Sequence, residues 1–179
     1  MSKFTEAKLE SAFIELLGLE GYPHTLGTTL LRGEGDVLIV EDLRNYLRTR
    51  YEENQITESE IDAVLLRLKS LPSSDLYESN KIVMRLLSDG FILKREDPKQ
   101  KDFYVQLIDY RGLNAHRIIE NIDYIVAEEE PSYSKPQNIY RFITQLKIVE
   151  HHPSGRIPDG ILYINGLPVV IFEFKTAIQ

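Results

Sequence analysis

The stretch RIPDGILYINGLPVVIFEFK, residues 156–175, holds three side chains whose chemical types could act together on one ligand, namely Asp159, Glu173 and Lys175. ILYIN and LPVVIFEF are rich in β-branched and aromatic residues, and the Asn165-Gly166 step between them is a strong hairpin signal. The second strand carries Pro168, Val170, Phe172 and Phe174 on one face, and Val169 and Ile171 beside Glu173 and Lys175 on the other. Apolar residues on both faces predict an interior strand. An unpaired charge near the end of such a strand costs several kcal/mol after relaxation, so Glu173 and Lys175 need partners. A metal ion with a scissile phosphate supplies them. The competing reading is structural: Glu173 and Lys175 pair with each other, and Asp159 is a turn residue after Pro158.

Register decides whether the carboxylates can cooperate. A two-residue Asn-Gly turn pairs Ile164 with Leu167 and Asp159 with Phe172, which sends Asp159 and Glu173 to opposite faces, where they could not share one ion. A three-residue loop, Ile164-Asn165-Gly166 with Gly166 left-handed, pairs Tyr163 with Leu167 and Asp159 with Ile171. Asp159, Ile171, Glu173 and Lys175 then share a face, and this is the register the chemistry requires.

With 179 residues, 42% of them hydrophobic, the chain can bury one substantial core and is expected to be one globular unit with a large insertion. Cysteine is absent, which excludes a disulfide framework and a thiolate metal site and leaves oxygen or histidine nitrogen as metal ligands. The sequence MSKFTEAKLE has no basic stretch followed by an apolar one, and no apolar run approaches the roughly 18 residues a bilayer span needs. A soluble, cytoplasmic protein is expected, with no membrane partner. The formal charge of −7 argues against a simple basic sleeve for nucleic acid. Residues 131–179, however, hold five Lys/Arg against three Asp/Glu, a balance of +2 that leaves −9 for residues 1–130. Nucleic-acid contacts therefore belong towards the C-terminal end.

Leu9, Phe13, Leu16 and Leu17 form one face of a helix starting at Thr5 as N-cap and ending at Gly18 or Gly21. Glu10 stands at the edge of that face, either along the core boundary or as an ordinary solvated glutamate. Residues 24–36 read as a loop with a short apolar element; their glycines do not form a phosphate-binding G-x-x-x-x-G-K-[ST] pattern, which occurs nowhere in the chain. Residues 41–51, 57–71 and 73–89 read as three helices, with Thr57 and Glu60 as a capping box and Ile61, Val64, Leu65 and Leu68 on one face. FILKRE (91–96) and FYVQLIDY (103–110) are strand-like, 111–130 partly helical with a solvated EEE run, and PSYSKPQ (131–137) a loop. Three helices and a hairpin also outline a winged helix, although its recognition helix, 75–89, would carry Asp75, Glu78 and Asp89 against Lys81 and Arg85. His151-His152 before Pro153 is read as an exposed loop pair, since adjacent strand residues would point to opposite faces.

Pro158-Asp159 with Glu173-Phe174-Lys175 resembles the PD-(D/E)xK nuclease superfamily. More narrowly, Arg156-Ile157-Pro158-Asp159, Asn165-Gly166-Leu167-Pro168 and Glu173-Phe174-Lys175 resemble the N-terminal nuclease domain of the type I restriction enzyme R subunit (HsdR). TEAKLESAFIELLGLEGY (5–22), SNKIVMRLLSDGF (79–91), QLIDY (106–110) and the segment with Asn138 and Gln145 are similar to its other elements. Phe174 stands where leucine is common, and the interval between QLIDY and Gln145 is longer than expected. The resemblance implies an α/β fold, a restriction-endonuclease-like mixed sheet flanked by helices, with a helical insertion at about 41–89. It implies Mg²⁺ held by Asp159, Glu173 and the Phe174 carbonyl, and an attacking water oriented by Lys175. Glu10, or less readily Glu6, would complete the site from the first helix, and Arg156 would hold a DNA phosphate or serve as a solubilising charge. It further implies double-stranded DNA and the modification (M) and specificity (S) subunits as partners. An ATP-dependent motor is expected beyond residue 179, so ATP would act outside this segment. A nuclease-like module kept for docking without catalysis is the third reading.

Overall fold

The computed structural model describes residues 5–33, 35–72, 74–111, 137–149 and 155–175. His151-His152, residues 112–130 and the loop 131–136 lie outside them. The described chain forms two units, residues 1–45 with 139–179, and residues 46–138.

In the first unit, helix α1 (Glu6–Leu19) starts where the Thr5 side chain accepts the Lys8 backbone N–H. It ends at a left-handed Gly21, with Tyr22 N–H donating to the Leu17 carbonyl. A short strand β1 (His24–Leu26) follows, then a 3-10 turn (Gly27–Thr29) and the start of helix α2 (Val40–Arg50). The sheet order is β1-β4-β5-β6, with β4 at Tyr140–Thr144, β5 at Gly160–Ile164 and β6 at Leu167–Phe172. β1 runs parallel to β4, His24 opposite Phe142, whereas β4, β5 and β6 are antiparallel. Residues 24–26 are thus strand where a loop was expected. A three-residue strand has too little sequence for a period, and its partner lies more than a hundred residues away.

Both faces of this sheet are covered. On one, Ile143, Leu146, Ile161 and Tyr163 form a buried cluster with Ile39, and Leu30 and Ile148 pack against it. On the other, Phe13 of α1 meets the rings of Phe142, Phe172 and Phe174 at centroid distances of 5.6, 4.9 and 5.3 Å. Phe142 reaches this position because residue 160 is glycine: a Cβ there would lie 2.4 Å from the Phe142 ring.

The β5–β6 connection is the two-residue turn, with Ile164 opposite Leu167 and positive φ at Asn165 (52°) and Gly166 (76°). The expected three-residue loop does not form. Instead the ladder slips by one residue further in: Tyr163 pairs with Pro168 and Leu162 with Val170, leaving Val169 as the extra residue of a bulge. Pro168 accounts for its position, since proline has no N–H for the ladder and is tolerated in sheets at edges and bulges. β6 is the edge of the sheet among the described residues, with Val170 42% and Ile171 64% exposed. The expectation of a buried interior strand fails for the same reason: apolar residues on both faces outweighed the edge signal that Pro168 carried.

The second unit contains α3 (Glu58–Lys69), α4 (Leu76–Asp89) and an antiparallel pair, β2 (Phe91–Leu93) with β3 (Phe103–Val105). Both arms of the Thr57–Glu60 capping box are present. The buried Glu60 carboxylate also accepts the Glu96 backbone N–H and pairs with Arg95 at 3.0 Å. Tyr46 and Tyr51 hydroxyls both donate to the Gln106 carbonyl. Asp109, fully buried, accepts hydrogen bonds from the backbone N–H groups of Arg111 and Gln137 and from the Arg111 guanidinium. Asn138 closes the same clasp, accepting from Asp109 N–H and donating to its carbonyl, so residues 109–111 and 137–138 are fastened together. No helix among the described residues is long and apolar enough to cross a membrane.

Candidate active site

The hairpin tip is fixed first. Asn165, buried at the turn, accepts the Ile139 N–H on its side chain and donates its own N–H to the Ile139 carbonyl. Gly166 accepts the Ile39 N–H at 2.9 Å, and a Cβ on it would fall 2.1 Å from the Ile39 carbonyl oxygen. From this anchored turn the strands run to the end that carries the charges.

Beyond the bulge Ile161 faces Ile171 and Gly160 faces Phe172. The paired ladder ends at that step, and past it the Phe174 backbone N–H reaches an Asp159 oxygen, so Asp159 lies against the Glu173–Lys175 segment. Continued by one residue, this register would oppose Asp159 and Glu173 on one face, which a regular ladder from the same two-residue turn would not. Lys175 follows at the next alternate position. Asp159 is half-buried, and one of its oxygens accepts the Phe174 backbone N–H at 2.5 Å, which draws its carboxylate onto the Glu173–Lys175 backbone. Glu173 and Lys175 are exposed, and among the described residues their side chains pair neither with each other nor with another group. The salt-bridged strand end is therefore not what forms.

Other candidates are placed apart. Glu10 is half-buried on α1, the helix whose Phe13 lies on the Phe172–Phe174 face, opposite the one reached by Glu173. No three His, Asp or Glu side chains gather as a metal-holding group among the described residues, so neither Glu10 nor the exposed Glu6 joins Asp159 and Glu173. The expectation for Glu10 came from the family resemblance; helix periodicity alone sets it at the edge of an apolar face and does not fix the side of the sheet it packs on. Arg156 bridges Ile148 through two backbone hydrogen bonds of 2.8 Å and keeps its side chain exposed, three residues before Asp159. Arg141 is held by Asp42 through two hydrogen bonds and pairs across the sheet with Tyr163. The hydrogen bond to Asp42 keeps the Arg141 guanidinium firmly charged. Gln145 is exposed in a left-handed conformation, and Asn138 belongs to the Asp109 clasp.

The donor set, two carboxylates with no cationic partner among the described residues and the backbone carbonyl of Phe174, is of the oxygen type that a hard divalent cation takes. Asn165 and Pro168 were the residues whose positioning role the sequence reading passed over; the turn signal and the missing proline N–H were the clues.

Comparison with known proteins gives this geometry its context. The chain is 26% identical over 183 residues to the type I restriction enzyme HindI endonuclease subunit of Haemophilus influenzae, covering 97% of this chain and 15% of that protein. It is 26% identical over 124 residues to the putative type I restriction enzyme MjaIXP endonuclease subunit of Methanocaldococcus jannaschii, covering 68% of this chain and 10% of that protein. The chain thus corresponds to a small fraction of either relative's length. The family model for the type I restriction enzyme R protein N terminus matches residues 3–179, and the chain belongs to that family.

Proposed function

We propose that this chain is the DNA-cutting module of a type I restriction R subunit, hydrolysing phosphodiester bonds of double-stranded DNA with Mg²⁺. One observation carries the reading: in a chain of this family the Phe174 N–H holds Asp159 against the Glu173–Lys175 segment, and among the described residues the exposed Glu173 and Lys175 side chains pair with no other group.

Asp159, Glu173 and the Phe174 carbonyl are the groups that would hold Mg²⁺. When bound, the ion offsets negative charge on the phosphate and lowers the pKa of a water. The Phe174 N–H fixes one Asp159 oxygen and leaves the other for the ion. The Lys175 ammonium donates a hydrogen bond to the attacking water and orients it. Arg156, exposed and ahead of the site, holds a backbone phosphate through its guanidinium fork. ATP-driven translocation belongs to motor domains outside this segment, and the modification and specificity subunits supply target choice.

The test uses the full-length subunit assembled with its partner subunits, ATP, Mg²⁺ and unmodified target DNA. Asp159→Ala and Lys175→Ala are expected to keep hydrolysing ATP and to lose cutting; normal cutting by either variant rejects the assignment. A docking module without catalysis is the second reading, favoured by the absence of a third acidic side chain at the site among the described residues. The same experiment separates the two. A winged-helix regulator has less support, because α4 carries Glu78 and Asp89 against Lys81 and Arg85 and offers no basic face.

A further inference from the structure

Strand pairing ends at Phe172, so Glu173, Phe174 and Lys175 lie beyond the last residue of β6. Two things hold this tail. One is the hydrogen bond from the Phe174 N–H to Asp159. The other is the Phe174 ring, half-buried, which meets Phe13 of α1 at 5.3 Å and Phe172 at 6.4 Å. Phe13 is the common member of this aromatic group, touching Phe142, Phe172 and Phe174. Phe172 and Phe174, two residues apart, both meet Phe13, so Glu173 between them is turned to the other face as in an alternating chain, and Lys175 follows it. Releasing that ring frees the tail to rotate and carries the Glu173 carboxylate away from Asp159.

We infer that Phe13 is a positioning residue: by clamping the Phe174 ring it holds the Glu173 carboxylate and Lys175 ammonium on the Asp159 side of the sheet. The inference rests on the reading of Asp159 and Glu173 as a cation site. It assigns to α1 a role through an apolar ring where sequence reasoning looked to its carboxylate, Glu10.

The test is iron-directed cleavage of the full-length subunit. Fe²⁺ in place of Mg²⁺, without ATP and with ascorbate and peroxide, cuts the polypeptide beside the bound ion, and fragments ending near residues 159 and 173 are read by mass. Loss of a group supporting metal ligands costs about tenfold or more in metal affinity, so Phe13→Ala is expected to need about tenfold more Fe²⁺ for half-maximal fragmentation. Phe13→Leu, which keeps apolar volume and the fold but loses the ring contacts, is expected to shift the same way by less. Leu16→Ala, at an exposed position of the same helix, is expected to leave the midpoint unchanged. A Phe13→Leu midpoint equal to wild type, or an equal shift in Leu16→Ala, overturns the inference. Asp159→Ala is run alongside: fragments that persist in it overturn the cation-site reading itself, whereas their loss together with an unshifted Phe13 series overturns only the role of Phe13.

Discussion

At the residue scale, the chain treats its buried and exposed acids differently. Asp109 is enclosed and fully satisfied. Burial raises its pKa, but hydrogen bonds from the Arg111 guanidinium and the backbone N–H groups of Gln137 and Arg111 outweigh that and hold it at about 2. A folded pKa below the unfolded one contributes stability that is present above about pH 4 and lost as pH falls towards 2. Asp109→Asn should therefore lower unfolding stability at neutral pH by about 1–3 kcal/mol, with the gap to wild type closing between pH 4 and 2 in denaturant titrations. A pH-independent gap contradicts this account of Asp109. Glu173 and Lys175, by contrast, are exposed and pair with no group among the described residues, which leaves them open to a ligand. Their residue types and spacing were readable from sequence. Their degree of burial was not, because an E-x-K pattern looks alike on a central strand and on an edge, and the need for partners argued from that burial lapses with it.

At the scale of elements, β6 carries one residue more than a regular ladder from its turn admits, and the bulge at Val169 absorbs it. The Asn-Gly signal correctly gives a two-residue turn, and a regular ladder from that turn would have parted the carboxylates. Pro168 reconciles turn and site by favouring a bulge at the next residue, a signal present in the sequence whose consequence depends on the pairing partner. Deleting Val169 turns the bulge into a regular ladder with Leu162 still opposite Val170 and Gly160 still opposite Phe172. Cutting by the assembled enzyme should survive that deletion; a three-residue loop would instead make the same deletion send the carboxylates to opposite faces and abolish it. Gly166→Ala places a Cβ against the Ile39 carbonyl at a φ of 76° and should destabilise the chain by about 1–3 kcal/mol in denaturant melts. The four helices were legible because each spans several turns with periodic apolar positions, and Thr57–Glu60 marked the start of α3. β1 was not, since a three-residue strand is defined by its distant partner β4 rather than by its own pattern.

At the scale of the whole molecule, the proposed function has a chain of net charge −7 meet DNA through its less acidic C-terminal part, where Arg156 and Lys175 flank Asp159 and Glu173 in sequence. Arg156→Ala should weaken DNA binding evenly across sequences and reduce the slope of log affinity against log salt by about 1. Binding measured at several salt concentrations checks this; an unchanged slope assigns Arg156 to solubility instead. The central claim is that Asp159 and Glu173 act as one site. Its most direct test compares cutting rates of Asp159→Asn, Glu173→Gln and the double variant in the assembled enzyme, with ATP hydrolysis as the internal control. Each single change should lower cutting by about 10³-fold or more, with the double no worse than either, because members of one catalytic unit are not additive. Wild-type cutting by either single variant, or losses that multiply in the double, contradicts it.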